Sequence, residues 1–136
     1  AEAIAKTFKL EVNFDPRLME MDLGDWEGKT FTELNDAGNI VQKLIDNPDF
    51  ATPNGESQNT VRHRVVSAID EIYAKHPNDN VIIVAHGVTI SIALAHYIDG
   101  DTTQWPKYGK SNTAFTEICL QRRQLLSFNR VDHLTA

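Results

Sequence analysis

The chain has 136 residues and a mass of 15.3 kDa, with 41% apolar and 24% charged residues. These proportions are typical of a globular domain and exclude an intrinsically disordered chain. Thirteen basic and nineteen acidic residues give a net charge of −6, which argues against nucleic acid or an anionic membrane as the partner. We therefore expect one cytoplasmic domain over residues 1–136 that binds no nucleic acid and no membrane.

The cysteine and histidine residues limit the disulfides and metal sites that the chain can form. The single cysteine, Cys119, excludes a disulfide framework and fits a reducing compartment. The five histidines show no metal-ligand spacing, and neither a dinucleotide fingerprint nor a phosphate-binding P-loop is found. We expect no metal site and no cofactor.

The first half of the chain predicts short helices and one edge strand. Residues 1–8 have apolar side chains at helical spacing, but no capping side chain precedes them. Residues 9–14 alternate and predict a short edge strand. Thr30 and Glu33 form a capping-box pattern before an apolar stripe that Gly38 divides into two short helices.

The second half alternates helices with strands. Ser57 is predicted to cap a longer helix that ends at residues 76–77. Residues 81–85 (VIIVA) are a continuous apolar run rich in β-branched residues, typical of a strand buried on both faces. A helix over residues 88–98 follows, and after a polar loop two strands close the chain. This order predicts an α/β fold, a layered sheet with helices on both faces.

His86 and Gly87 come directly after the predicted strand at residues 81–85. In open α/β sheets, ligands bind beyond the carboxyl ends of the strands, where the free amides of the next helix favour an anion. Gly87 would let a ligand approach the backbone closely. Spacing alone leaves two interpretations of His86: a residue of a phosphate site, or a hydrogen-bonded histidine at the end of a core strand.

Five carboxylates lie within thirteen residues: Asp15, Glu20, Asp22, Asp25 and Glu27. Most clusters of this kind are solvated surface. Apolar residues alternate with these acids, however, so some carboxylates are expected beside apolar groups. Desolvation there raises the pKa of a carboxyl group and can produce a general acid.

Four stretches, in order along nearly the whole chain, resemble the histidine phosphatase superfamily of phosphoglycerate-mutase-like proteins. They are residues 15–28 (DPRLMEMDLGDWEG), residues 54–57 with Arg64 (NGES and R), residues 84–87 (VAHG) and residues 112–114 (NTA). The resemblance implies a phosphoglycerate-mutase-like fold and phosphoryl transfer through a phosphohistidine. It implies Glu20 as the proton donor, His86 at the phosphoryl oxygens, and Gly87 and Asn112 in substrate binding.

The Arg-His-Gly motif that carries the nucleophile in this family does not occur in these 136 residues. Residues 1–4 resemble the continuation of the family's first helix. We therefore expect residues 1–136 to be the C-terminal two-thirds of such a domain, with its first strand and first helix upstream. The upstream strand would pair with residues 81–85, or a dimer partner or swapped segment would fill that place.

Three functions follow from these observations. The first is a phosphomonoester hydrolase or phosphomutase that acts on a phosphorylated small molecule once the upstream segment is present. The alternative is a catalytically inactive protein of the same fold that binds a phosphate ligand or another protein. A structural domain whose acidic loop is only surface is the third. The sequence does not identify the substrate or separate phosphatase from mutase.

Overall fold

The computed structural model describes residues 1–36, 38 and 40–134. Five α-helices and two β-strands form there: α1 Glu2–Phe8, α2 Phe31–Asp36, α3 Ile40–Asp46, α4 Gln58–Lys75, α5 Gly87–Leu94, β1 Phe115–Cys119 and β2 Gln124–Arg130. Short 3₁₀ turns form at Pro16–Leu18, Gly24–Trp26, Thr102–Tyr108 and Asp132–Leu134, and a π-helical turn at Ala95–Asp99 extends α5. No helix in the described ranges has the length and apolar character needed to cross a membrane.

Helices α4 and α5 form the centre of the core. The predicted cap of α4 is confirmed, since Ser57 Oγ accepts a hydrogen bond from the Thr60 amide at 3.1 Å. Val61 on α4 and Ile92 on α5 are fully buried in one apolar cluster. Burial of one such side chain stabilises the fold by about 1.5–3 kcal/mol. This packing holds α5 against α4.

The two predicted C-terminal strands are confirmed as an antiparallel hairpin. Phe115 pairs with Arg130 at one end of the ladder, and Cys119 pairs with Gln124 at the other. The hairpin packs beside α5 through Phe128, whose ring meets the buried Tyr108 ring edge-on at 5.7 Å.

Local capping agrees with the expectation for α2 and α3. The Thr30 amide donates to Glu33 Oε2 at 2.8 Å, and the Glu33 amide donates to Thr30 Oγ1 at 3.3 Å, which completes the capping box. Gly38, with φ at 132°, lies between the two helices in a conformation that other residues rarely adopt.

The N-terminal segment is only partly as predicted. Helix α1 is confirmed without a side-chain cap, and none of its residues is buried. The predicted edge strand at residues 9–14 is wrong: no strand forms there, and Leu10 and Phe14 are 60% and 82% exposed. Alternation alone does not make a strand, because a strand also requires a neighbour that accepts its hydrogen bonds.

The prediction of a doubly buried strand at residues 81–85 is also wrong for the described structure. Val81, Ile82 and Val84 are 46–51% exposed, and the segment has no strand partner among the described residues. The described residues form one sheet, and it consists of the two strands β1 and β2. The expected layered sheet with helices on both faces is not formed by them. The sequence of the segment suits a strand, but no described segment runs beside it.

Candidate active site

Glu20 lies at the N-terminus of α5. Its carboxylate accepts hydrogen bonds from the amides of Val88 and Thr89 at 3.0 Å each, and from Thr89 Oγ1 at 3.1 Å. The amide of Met21 donates a further bond at 3.0 Å. Free amides of a first helical turn favour an anion, so α5 fixes this carboxylate in one place.

The environment of Glu20 favours its ionised form. Partial burial raises the pKa of its carboxyl group, but the hydrogen bonds from Met21, Val88 and Thr89 outweigh burial and hold that pKa below its ordinary value. For Glu20, this corrects the expectation that apolar neighbours raise the pKa. The donors on α5 lie 68 and 69 positions further along the chain, so the local sequence could not show them.

His86 lies beside the same carboxylate. It precedes α5 in an extended conformation, and its exposed ring makes no hydrogen bond or ion pair within the described part of the chain. His86 and Glu20 line one cavity of about 450 Å³ together with Met19, Met21, Asp22 and Glu27. A Cβ atom at Gly87 would lie 3.5 Å from Glu20 Oε2, so this glycine also borders the site.

Asn112 is a further proposed site residue, and the structure does not bring it to this cavity. It is exposed in the segment before β1, and its carbonyl accepts a hydrogen bond from Thr113 Oγ1. It is absent from the described residues that line the cavity. Its role in substrate binding stays a prediction.

The remaining carboxylates of the acidic cluster fall into two groups. Asp22 and Glu27 line the cavity beside Glu20. Asp15 pairs with Arg17 at 2.7 Å, and the hydrogen bond from Arg17 lowers the pKa of Asp15. Asp25 accepts hydrogen bonds from the Asn54 side chain outside the cavity. Only part of the acidic cluster therefore lies at the cavity.

Lys110 makes a contact with the start of α5 that the sequence did not predict. Its ammonium group donates to the Gly87 carbonyl and to Ser91 Oγ at 2.7 Å each, which ties the C-terminal region to the start of α5. Burial lowers the pKa of Lys110, and the charge of Glu20 opposes that effect. No local pattern identifies this contact, because Gly87 and Lys110 are 23 positions apart.

No group of three or more His, Cys, Asp or Glu side chains in the described ranges is arranged to hold a metal ion. The groups that could act on a ligand at this site are the Glu20 carboxylate, the His86 ring and the backbone at Gly87. A carboxylate can transfer a proton, and an imidazole N–H can donate a hydrogen bond to an anion. The amides of Val88 and Thr89 are already bonded to Glu20, so they are not free for a second anion as the sequence had suggested.

Residues 1–130 match the sequence profile described as "Histidine phosphatase superfamily (branch 1)". The chain belongs to this superfamily. Phosphoserine phosphatase 1 of Hydrogenobacter thermophilus is 26% identical over 135 residues, which cover 96% of this chain and 64% of that protein. Probable phosphoglycerate mutase GpmB of Proteus mirabilis is 33% identical over 97 residues, which cover 70% of this chain and 45% of that protein. The matched regions thus span 64% or less of these two relatives.

Two solved structures share the fold of this chain. "Mycobacterial hydrolase 1" superimposes with a TM-score of 0.80 at 24% identity, over 96% of this chain and 70% of that one. A mycobacterial glucosyl-3-phosphoglycerate phosphatase in complex with inorganic phosphate gives a TM-score of 0.77 at 26% identity, over 93% of this chain and 69% of that one. The phosphoglycerate-mutase-like fold implied by the resemblance is confirmed at this level.

Proposed function

We propose that this chain is the C-terminal two-thirds of a cytoplasmic enzyme that hydrolyses or transfers the phosphoryl group of a phosphorylated small molecule. The observation that carries the proposal is the shared cavity of Glu20 and His86 at the N-terminus of α5. Relatives named as a phosphatase and a probable mutase, and a relative with bound inorganic phosphate, support the same chemistry.

The proposed reaction has two steps, with the nucleophilic histidine on a segment upstream of Ala1. In the first step a ring nitrogen of that histidine attacks phosphorus, the bond to the leaving oxygen breaks, and Glu20 gives its proton to that oxygen. In the second step Glu20 takes a proton from water, the water oxygen attacks phosphorus, and the P–N bond breaks. In a mutase, the hydroxyl of an acceptor replaces water. His86, Gly87 and Asn112 would position the phosphoryl group and substrate.

The low pKa of Glu20 requires that this carboxyl be protonated as substrate binds. A phosphomonoester dianion close to the carboxylate raises the pKa of Glu20 by charge repulsion. The negative charge of the substrate thereby favours protonation of Glu20. Glu20 then transfers this proton to the leaving oxygen. A carboxylate that stays ionised without ligand is compatible with this order of events.

A second, larger cavity supports the proposal of an upstream segment. It has a volume of about 810 Å³ and is lined by residues 114–122 of the hairpin region and by Val81, Ile82 and Ile83, with Ile69 of α4 at its floor. The side chains of residues 81–84 are all exposed. The cavity thus borders an edge strand, β1, and a segment that has no strand partner among the described residues.

We place one extended upstream strand in this cavity, hydrogen-bonded to residues 81–85 and to the free edge of β1. Such a strand would bury the exposed apolar side chains and satisfy backbone groups on both neighbours. It would end close to His86 if it ran parallel to residues 81–85, because parallel strands end at the same edge of a sheet. The nucleophile would then face Glu20 across the phosphoryl site.

The test uses the full-length protein and two substrates that differ in their leaving group. Glu20→Gln should lower kcat/KM by about 100-fold to 10,000-fold for an alkyl phosphate such as glycerol phosphate, the range of general acid catalysis. The loss should be smaller for p-nitrophenyl phosphate, because nitrophenolate leaves without a proton. Glu11→Gln, which changes an exposed carboxyl outside both cavities, is the matched control and should leave both rates unchanged.

His86→Ala should lower the rate for both substrates, because the phosphoryl group is common to them, whereas exposed His133→Ala should not. If wild type and Glu20→Gln hydrolyse glycerol phosphate at equal rates, Glu20 is not the proton donor. Binding of inorganic phosphate without turnover of either substrate would instead favour the inactive phosphate-binding protein.

A further inference from the structure

Arg64 makes the densest set of hydrogen bonds near the candidate site. Its Nε and Nη2 donate to the two carboxylate oxygens of Glu56 at 2.8 Å each. Its Nη1 donates to the carbonyls of Arg17 at 2.7 Å and Met19 at 2.8 Å, and Nη2 also donates to the Glu20 carbonyl at 3.0 Å. All five N–H groups of the guanidinium are therefore used.

Glu56 fixes the chain on the other side of Glu20. Its carboxylate accepts a hydrogen bond from the Asp22 amide at 3.0 Å, and its own amide donates to the Asp22 carbonyl at 2.8 Å. The hydrogen bonds from Arg64 lower the pKa of Glu56, so this carboxylate is ionised and pairs with the guanidinium. Arg64 and Glu56 together hold the main chain before, at and after Glu20.

We infer that Arg64 and Glu56 are positioning residues that hold Glu20 against the N-terminus of α5. The inference rests on the proposed function, because Glu20 is the proposed proton donor. The side chains of Arg64 and Glu56 are each only 18% exposed. Arg64 lies on α4, which also packs on α5, and Glu56 lies two residues before α4 begins at Gln58.

The geometry leaves little freedom for Glu20 to move without loss of its hydrogen bonds. Its bonds to the Val88 and Thr89 amides are 3.0 Å long, and an N–H···O bond weakens beyond about 3.2 Å. Lysine cannot replace Arg64 here, because an ammonium group has three donors on a flexible stem and lacks the planar fork. Arg64→Lys keeps the positive charge and removes the set of hydrogen bonds that the guanidinium makes to Glu56 and to the three backbone carbonyls.

The first experiment follows the titration of the Glu20 carboxyl carbon by NMR in the full-length protein. Arg64→Lys should raise the titration midpoint of Glu20 towards its ordinary value, because the carboxylate loses its fixed place at the α5 amides. Arg62→Lys, on the same helix with hydrogen bonds to Asn59 and His63, is the matched control and should leave the midpoint unchanged. An unshifted midpoint in Arg64→Lys would overturn the inference.

The second experiment is a double-mutant cycle on kcat/KM with glycerol phosphate. Arg64→Lys should lower kcat/KM by about 100-fold in the wild type, the size expected when a reacting group is misplaced by about 1 Å. The same substitution should have almost no effect in a Glu20→Gln background, because the group it positions is already gone. An equal loss in both backgrounds would show that Arg64 acts by another route.

Two further measurements separate an effect on folding, or a failure of the proposed function, from the positioning role. If Arg64→Lys does not fold by circular dichroism, Glu56→Gln takes its place, and we expect the same direction of change in the Glu20 titration. If the wild type has no turnover, the proposed function fails while the Glu20 titration still decides the positioning role. A folded Glu56→Gln variant with an unchanged Glu20 midpoint would also overturn the inference.

Discussion

Glu20→Gln is expected to destabilise the fold as well as the reaction. The Glu20 carboxylate accepts four hydrogen bonds, three of them from Val88 and Thr89 on α5. A glutamine keeps one oxygen acceptor but turns its NH₂ group towards one of the donors. If the oxygen stays at the Oε1 position, the bond from the Val88 amide is lost and the other three lose their charge assistance.

The expected loss of unfolding free energy is about 2–3 kcal/mol. One hydrogen bond to a charged acceptor contributes about 1.5–3 kcal/mol, and the interaction of a carboxylate with a helix N-terminus adds about 0.3–1 kcal/mol. We take the lower part of the combined range because Glu20 is only half-buried and solvent screens part of the interaction.

The loss should also depend on pH in a fixed direction. The folded-state pKa of Glu20 is lowered, so the ionised form adds stability that is fully present above the unfolded-state pKa. That stability disappears as the pH falls through the folded-state pKa, where the wild-type carboxyl is protonated and resembles glutamine. The two proteins should therefore converge in acid.

Urea unfolding followed by circular dichroism measures this difference at neutral and acidic pH. Glu27→Gln is the matched control, because Glu27 is exposed and accepts one backbone hydrogen bond, from Leu23. Its loss should be clearly smaller than that of Glu20→Gln. Equal stability of wild type and Glu20→Gln at neutral pH, or a difference that grows in acid, would refute the placement of the Glu20 carboxylate at α5.

Two further predictions concern the cavity beside residues 81–85 and the cap of α4. In the full-length protein, Ile82→Ala should lower the free energy of unfolding by about 2–5 kcal/mol, because the proposed upstream strand would bury this side chain. In residues 1–136 alone, where Ile82 is 51% exposed, the loss should be less than half as large. Equal costs in both forms, by urea unfolding, would argue against the strand. Ser57→Ala should remove the cap of α4 and cost about 1 kcal/mol, with exposed Ser67→Ala as the comparison.

Local signals in the sequence were enough for the elements that depend on local contacts. The Ser57 cap, the Thr30 capping box and the break at Gly38 each involve residues within a few positions of one another. The antiparallel pair β1 and β2 was also predictable, since a tight turn joins two alternating runs. Because these features depend on residues close in sequence, local patterns were sufficient to predict them.

Features that depend on distant partners could not be predicted in the same way. Residues 81–85 have the composition of a buried strand, yet their state depends on a neighbour that no described residue supplies. The ionised state of Glu20 depends on amides of α5, which outweigh burial. Arg64 was visible only as part of a motif, and its carbonyl acceptors lie 44 to 47 positions earlier in the chain.

The central claim is that a histidine upstream of Ala1 carries the phosphoryl group while Glu20 and His86 act on it. The direct measurement is tandem mass spectrometry of the full-length protein, quenched in denaturant at neutral pH during turnover of p-nitrophenyl phosphate. We expect one phosphohistidine, located upstream of Ala1. A phosphoryl group on His86 or on another residue of the present chain, or turnover with no phosphoenzyme at any time point, would contradict it.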